Sequence, residues 1–260
     1  MFWTEDPTGD VTHRPWPLPQ KPWIMAQRWT DLLFAHWPID PNALRGIVPA
    51  SLPLDLFDNQ AWISIAAFFL SHLRARRLPA LPFVSEFPEL NVRTYVRSGD
   101  KPGVYFFSLD AGSALAVAAA RATYFLPYFR ANMNIRAAAD GTLQYESRRT
   151  DSRGRPAELN ARYGPVGPIS RAKPGSLDHF LTERYCLYAI DYAGRIRRAE
   201  IHHHPWPLQP ADAEISVNTM ATAAGIELPS TPPRLSFSSR LDVVVWPPVR
   251  VDDLSQSAAR

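Results

Sequence analysis

Ten segments rich in Val, Ile, Tyr, Phe and Trp constrain the fold of this chain more than any other feature of its sequence. Short turn signals separate them, such as Ser98-Gly99-Asp100 and Asp140-Gly141. Runs of this composition between tight turns favour β-strands that pair antiparallel. The predicted strands are 29–37, 61–73, 89–96, 104–110, 131–138, 143–150, 158–164, 186–192, 195–203 and 234–245.

Three helices are predicted between these strands. One begins at Asp40, a favoured N-cap residue, with Pro41 at the first helical position. The second is the alanine-rich segment 113–125, and the third follows Ser176 and carries an apolar face that reaches Tyr185. The pattern therefore predicts an α+β fold, mainly an antiparallel β-sandwich or barrel with a few helices. A barrel of this kind can enclose a ligand cavity.

The chain is predicted to contain one domain, because no internal repeat or interior low-complexity linker divides it. Residues 1–28 are rich in proline and contain three tryptophans, so we expect an extended arm whose tryptophans pack onto the body. The domain is assigned to 29–250 and a short tail to 251–260.

The charge and hydropathy of the chain argue against two classes of function. The sequence has 28 basic and 25 acidic residues, and its arginine-rich stretches border turns or strand ends. We interpret these stretches as solvated loops and predict no nucleic-acid partner. The longest apolar run, 61–70, is half the length that a bilayer requires, so we predict no membrane span.

The N-terminal residues lack the basic start and the apolar core of a secretory signal, and we expect a cytoplasmic protein.

The single cysteine, Cys186, lies among apolar neighbours and can form no internal disulfide. It is interpreted as a small buried hydrophobic residue.

Aromatic, ionisable and imidazole side chains are concentrated between residues 180 and 211. This stretch contains Glu183, Arg184, three consecutive histidines and Trp206. A surface hairpin would not normally combine so many such side chains, so we predict that the stretch forms one wall of a site. Adjacent helical residues point about 100° apart, so at most one of Glu183 and Arg184 faces a ligand.

The predicted strand 89–96 has two contrasting faces. Glu89, Asn91, Arg93 and Tyr95 share one side, whereas the residues between them are mostly apolar. A strand of this kind either has solvent behind its polar face or lines a polar cavity. The sequence alone leaves both alternatives open.

Metal binding and cysteine catalysis are both disfavoured by the pattern. His202 and His204 share one face of the predicted strand end and could join Glu200 or Glu183 at a metal ion, but no second histidine motif completes the site. We interpret these imidazoles as hydrogen-bonding groups and predict no metal and no cofactor. Cys186 has no flanking catalytic signature.

Several separate motifs resemble one family over nearly the whole chain, from about Trp29 to Val249. The sequence resembles the YqjF-like family in the segments PELNVRTYVR, GVYFFSLDA, LPYFRA, FLTERYCLY and HHPWPLQPA, which begin at residues 88, 103, 126, 180 and 203. That family in turn resembles the acetoacetate decarboxylase superfamily. The resemblance implies an antiparallel β architecture around a central pocket, with Glu89 and His203 in that pocket.

The chain departs from these decarboxylases at the catalytic lysine. Such enzymes form a Schiff base with a buried, activated lysine, whereas this sequence has Tyr128 in that approximate place. Its lysines, Lys21, Lys101 and Lys173, each precede a proline, which favours extended or turn conformations at the surface. We therefore expect no Schiff-base chemistry.

Two hypotheses from different classes of function remain. In the first, a small-molecule pocket handles an acidic or carbonyl-bearing metabolite by acid–base chemistry, and its candidate ligand-binding residues are Glu89, Arg93, Tyr128, Glu183, His203 and Trp206. In the second, a noncatalytic binding or scaffold protein retains the fold, with its pocket filled by Trp37, Phe129 and Trp206. Both are compatible with a homo-oligomer.

Overall fold

The computed structural model describes residues 8–80 and 85–251. Its strands are β1 (Met25–Ile39), β2 (Ala61–Ala75), β3 (Phe87–Ser98), β4 (Lys101–Ala111), β5 (Tyr128–Ala137), β6 (Leu143–Arg149), β7 (Glu158–Pro165), β8 (Cys186–Ile190), β9 (Ile196–His203), β10 (Gln209–Asn218), β11 (Arg234–Val245) and β12 (Val249–Arg250). Its helices are α1 (Pro41–Arg45), α2 (Ala114–Tyr124), α3 (Leu177–Thr182) and α4 (Met220–Ala223). In this described part, no helix is long and apolar enough to cross a membrane.

The strands form one continuous sheet that closes on itself twice. Their order is β12-β9-β8-β4-β3-β2-β1-β11-β10-β7-β6-β5, and additional pairings join β9 to β11 and β4 to β5. The first closure gives a smaller ring of β9, β8, β4, β3, β2, β1 and β11. The second gives a larger ring that runs from β4 through β3, β2, β1, β11, β10, β7 and β6 to β5. The rings therefore share β4, β3, β2, β1 and β11 as a common wall.

Side-chain alternation on the common wall supplies a core to each ring. On β2, Ile63 and Ile65 belong to the core of the larger ring, whereas Ala66 and Phe68 belong to that of the smaller ring. Successive strand residues point to opposite faces of a sheet, so a strand buried on both faces carries few polar positions. This explains the near-continuous apolar run in β2.

A bulge in β1 reverses this alternation where the strand borders the smaller ring. The pairing of β1 with β2 shifts between Thr30 and Leu33, and Asp31 adopts a left-handed backbone conformation with φ of 55°. Trp29 before the bulge and Leu32 after it consequently face the same interior. The bulge lets a strand with an irregular apolar pattern keep one continuous inner surface.

The predicted fold class is confirmed, with one qualification and several differences in detail. Most strand pairs are antiparallel, including β3 with β4, but β4 pairs in parallel with both β5 and β8. Strands β10 and β12 and helix α4 were not predicted. The predicted N-caps Asp40 and Ser176 each accept a backbone hydrogen bond, and Ser113 caps α2 in the same way. Helix α3 ends at Thr182, however, so the prediction that its apolar face reaches Tyr185 is wrong.

The N-terminal arm packs along the smaller ring. Regular strand structure begins at Met25, four residues before the predicted strand. Trp16 packs against the core of the body, and Trp23 packs beside Ala26 and Trp246. The first seven residues of the arm and most of the predicted tail, 252–260, lie outside the described residues.

Candidate functional site

A cavity of about 100 Å³ lies inside the smaller ring. This volume is several times what a single water molecule requires. The common wall, α2, β5, β9 and the loop after β9 all contribute to its lining. The apolar lining includes Leu32, Phe34, Phe68, Phe106, Leu109 and Trp206. The polar and charged lining comprises Gln27, Glu89, Asn91, Arg93, Tyr128, Thr182, Arg184 and His203.

Strand β3 presents its polar face to this cavity. Glu89, Asn91 and Arg93 line it, while Leu90 and Val92 pack into the core of the larger ring. The sequence left open whether solvent or a polar cavity lies beside the polar face of this strand. In the structure, the polar face lines a cavity. The register between β3 and β4 shifts between Val92 and Arg93, but the extra residue lies on β4, so the period of two residues along β3 holds from Glu89 onward.

Glu89 and Tyr128 form a hydrogen-bonded pair at the cavity. The Tyr128 hydroxyl donates to Glu89 Oε2 at 2.9 Å, and Asn91 also donates to the carboxyl group. Burial raises the pKa of Glu89 to about 7, because desolvation outweighs the two hydrogen bonds that favour the charged form. Burial and the adjacent carboxylate also raise the pKa of Tyr128 well above its usual value. Tyr128 therefore remains protonated and donates a hydrogen bond to Glu89.

Arg93 brings a positive charge to the same cavity. Its side chain is 8% exposed, and its guanidinium carbon lies 5.1 Å from the ring centroid of Phe34. Burial lowers the pKa of Arg93, and the neighbouring Tyr95 hydroxyl partly offsets this effect. Within the described part of the chain Arg93 forms no ion pair with a carboxylate, and its Nε has no hydrogen-bond partner. A buried cation without a counter-ion favours the binding of an anion.

A second arginine was missed as a lining residue by the sequence analysis. Arg184 lines the cavity and forms an ion pair with Asp55, with Nη1 2.5 Å from Oδ2, while its Nε donates to the Phe180 carbonyl oxygen at 2.6 Å. Asp55, which also pairs with Arg97, supplies Arg184 with a counter-ion, whereas Arg93 has none among the described residues. The rule for adjacent helical residues does not choose between Glu183 and Arg184, because α3 ends at Thr182 and both residues follow it.

His203 on β9 and Trp206 in the following loop line the cavity, whereas Glu183 does not. Among the described residues His203 forms no hydrogen bond with a carboxylate, and its Nδ1 lies 2.7 Å from the His204 carbonyl oxygen. Glu183 instead accepts from the backbone N–H of Trp206 at 3.0 Å and from the Tyr185 hydroxyl. Five of the six candidate residues thus share one cavity, and Glu183 fixes the loop that carries Trp206. Their role in ligand binding stays a prediction.

No lysine lines the cavity. Lys101 pairs with Glu200, with its Nζ 2.8 Å from Oε1, on the outer side of the ring, while Lys21 and Lys173 are exposed. Tyr128, which the sequence resemblance compared with the decarboxylase lysine, lines the cavity. In residues 8–80 and 85–251, no cluster of three His, Cys, Asp or Glu side chains is arranged to hold a metal ion.

The fold is similar to that of acetoacetate decarboxylase-like proteins. An acetoacetate decarboxylase from Legionella pneumophila subsp. pneumophila str. Philadelphia 1 matches with a TM-score of 0.61 and 13% identity, over 96% of this chain and 98% of that one. The enduracididine biosynthesis enzyme MppR, complexed with the condensation product of pyruvate and imidazole 4-carboxaldehyde, matches with a TM-score of 0.62 and 11% identity, over 88% and 90% of the two chains. At such identities the similarity shows the fold alone.

Sequence comparison identifies the family. The DUF2071 family, described as an uncharacterized conserved protein, matches residues 26–242. The Uncharacterized protein YqjF of Bacillus subtilis (strain 168) is 49% identical over 230 residues, which cover 88% of this chain and 93% of that protein. The chain belongs to the DUF2071 family. The resemblance to YqjF-like proteins that the sequence motifs indicated is confirmed.

Proposed function

We propose that this protein binds a small carboxylate or carbonyl metabolite in the cavity of the smaller ring and that Glu89 transfers protons on it. One observation carries the proposal: a buried carboxyl group with a pKa of about 7 faces the cavity. A general acid–base group works best when its pKa lies near the working pH, because both protonation states are then populated. A carboxyl group whose pKa is strongly shifted by burial and that faces a cleft is a candidate functional group.

Arg93 is the proposed anion-binding group. A carboxylate on the ligand would supply the counter-ion that this buried guanidinium lacks among the described residues. Trp206 also lies on the cavity wall, and its buried Nε1 has no hydrogen-bond partner among the described residues. Both groups are donors, so an acceptor-rich ligand satisfies them.

Tyr128 is proposed to hold and tune the Glu89 carboxyl group rather than to react covalently. Its hydroxyl donates to Glu89 in the absence of a ligand. With no lysine at the cavity, a carbonyl ligand stays noncovalently bound, and chemistry is limited to moving protons between the ligand and Glu89.

The alternative, a noncatalytic binding or scaffold protein, predicted a pocket filled by aromatic side chains. Trp37 packs in the core of the larger ring, and Phe129 packs under Arg149, 4.1 Å from its guanidinium carbon. Trp206 lines the cavity without filling it. These placements favour a protein that binds a small molecule, whether or not the molecule reacts.

Proton transfer is tested with oxo acids as probes. The exchange of the methyl protons of pyruvate into D₂O is followed by NMR for the wild-type protein, Glu89→Gln and the matched control Glu146→Gln, which lies on the exposed side of β6. General acid–base catalysis contributes a factor of about 10² to 10⁴, so Glu89→Gln should lose about that much while the control keeps the wild-type rate.

Binding is measured separately by calorimetry with the same probes and with longer oxo acids. We expect Arg93→Ala to lose affinity for anionic probes, whereas the exposed Arg136→Ala variant keeps it. Binding without proton exchange would favour the noncatalytic alternative. No binding of any anionic probe would refute the proposal. The cytoplasmic location, the lack of a nucleic-acid partner and the homo-oligomeric state stay predictions.

A further inference from the structure

The N-terminal arm is anchored to the outer face of β9 by one buried arginine. The Arg14 side chain is 1% exposed, and its guanidinium pairs with Glu200 and donates to the Ile201 carbonyl oxygen at 2.6 Å. Trp16 Nε1 donates to the same Glu200 carboxylate at 2.7 Å, and His13 Nε2 donates to the His203 carbonyl oxygen at 2.8 Å. The arm residues 13–16 therefore dock side by side along one strand.

A histidine without any hydrogen bond lies under this docked segment. The His202 side chain is 0% exposed, and neither of its ring nitrogens has a partner among the described residues. The His13 ring stacks on it, with 5.4 Å between centroids and 21° between planes. A buried polar group with no partner is rare and costs stability, so its presence calls for an explanation.

We propose that residues 13–16 form a pH-sensitive latch that is docked over His202 while this imidazole is neutral and is released when it takes up a proton. The titratable and charged groups that face His202 come from the arm, from β9 and its C-terminal extension, and from the segment before β8. They are His13 and Arg14, then Glu200, His203 and His204, and finally Tyr185. On β11, the residue paired with His202 is the apolar Val244.

The positive charges around His202 oppose its protonation while residues 13–16 are docked. Glu200 is already shared by three cations, with Lys101 Nζ at 2.8 Å and Arg198 Nη2 at 3.3 Å in addition to Arg14. An imidazolium at His202 would add a further positive charge beside Arg14 in a site closed to water. Release of the arm removes Arg14 and His13 and admits water, which favours the protonated imidazole.

The direction and size of the effect follow from proton linkage. Burial and then Arg14 lower the pKa of His202 to about 3 in the docked state, against 6.5 for an ordinary histidine. The docked state is therefore fully favoured above pH 6.5 and loses stability as the pH falls from 6.5 towards 3. If the pKa returns to 6.5 on release, lowering the pH from 7.5 to 5.0 shifts the docking equilibrium by about 30-fold.

The single cysteine of the chain provides a native reporter of release. Cys186 is 0% exposed and pairs across β8 and β9 with Glu200, so its side chain lies on the face that the arm covers. Labelling by 4,4′-dithiodipyridine is measured from pH 7.5 to 5.0 and divided at each pH by the rate for the urea-unfolded chain. This ratio removes the intrinsic pH dependence of the thiol.

We expect the ratio to rise by up to about 30-fold in the wild-type protein as the pH falls to 5.0, while far-UV circular dichroism stays constant. His202→Phe and His202→Gln should each flatten this rise, and the matched control His179→Phe on α3 should keep it. Arg14→Ala should raise the ratio already at pH 7.5. A ratio that does not change with pH, or that rises equally in both His202 variants, would overturn the proposal. So would a rise that coincides with loss of the circular dichroism signal, because it would report global unfolding.

Discussion

Replacement of Glu89 by glutamine should make the protein more stable at neutral and alkaline pH. The Glu89 side chain is 4% exposed, and burial raises its pKa from 4.5 to about 7. Glutamine has nearly the same shape and can still accept from Tyr128, but it carries no charge to desolvate. The substitution therefore removes a cost that the folded protein bears whenever Glu89 is ionised.

The size of this cost follows from the two pKa values. Between pH 4.5 and 7 the folded state holds a proton on Glu89 that the unfolded state has lost, so stability falls as the pH rises. Each pKa unit corresponds to 1.36 kcal/mol, and a shift of 2.5 units from 4.5 to about 7 gives about 3 kcal/mol. Below pH 4.5 this contribution vanishes because Glu89 is protonated in both states.

The assay is urea unfolding of the wild-type protein and Glu89→Gln at several pH values from 4 to 8. The difference in unfolding free energy between the two proteins should grow by about 3 kcal/mol in favour of the variant across this range. Other titrating groups, including His202, cancel in the difference. Parallel stability profiles would refute the raised pKa of Glu89 and with it the main support for the proposed proton transfer.

Two further predictions concern the missing lysine and a buried ion pair. Borohydride treatment in the presence of pyruvate or acetoacetate should leave the mass of the protein unchanged, and a reduced adduct on any lysine would contradict this. Asp110 is 0% exposed and binds Arg149 from β6 through two hydrogen bonds of 2.6 and 2.8 Å. Asp110→Ala should cost about 3–5 kcal/mol and lower Tm by about 6–20 °C in a thermal melt, because it leaves a buried guanidinium unpaired. The double variant Asp110→Leu/Arg149→Met should recover most of this loss, and a single-variant loss below about 1 kcal/mol would contradict the reasoning.

The sequence predicts the strands where apolar periodicity is strong and misses them where it is weak. Strand β10, Gln209–Asn218, alternates between half-buried and exposed positions and contains Pro210, Asp212 and Glu214, so it carries no continuous apolar signal. Its existence depends on pairing with β7 and β11, which are distant in sequence. The parallel pairing of β4 with β5 and β8 is equally nonlocal. Turn signals predict only pairs that are adjacent in the chain.

In the candidate site as well, the features that depend on local sequence pattern were predicted and those that depend on nonlocal contacts were not. Alternation along β3 was sufficient to place Glu89 and Arg93 on one face, because the extra residue of the bulge beside Val92 and Arg93 lies on β4 and not on β3. The choice between Glu183 and Arg184 depended instead on where α3 ends. The helix stops at Thr182, so helical spacing gives no orientation for the residues that follow. That Tyr128 meets Glu89 depends on the closure of the rings, which a one-dimensional pattern does not contain.

On the wall that the two rings share, the residues that line the cavity and the residues that pack into the core of the larger ring lie on opposite faces. On β3, Arg93 can be varied to change what the cavity accepts, while Val92 beside it is tied to the packing of the larger ring. Under the proposed function, a mutational library restricted to Glu89, Asn91 and Arg93 would therefore sample new ligand preferences while leaving Leu90 and Val92 unchanged. A library at the intervening positions would sample mainly stability. Under the proposed function, the lining of the cavity could therefore change while the core of the larger ring stays the same.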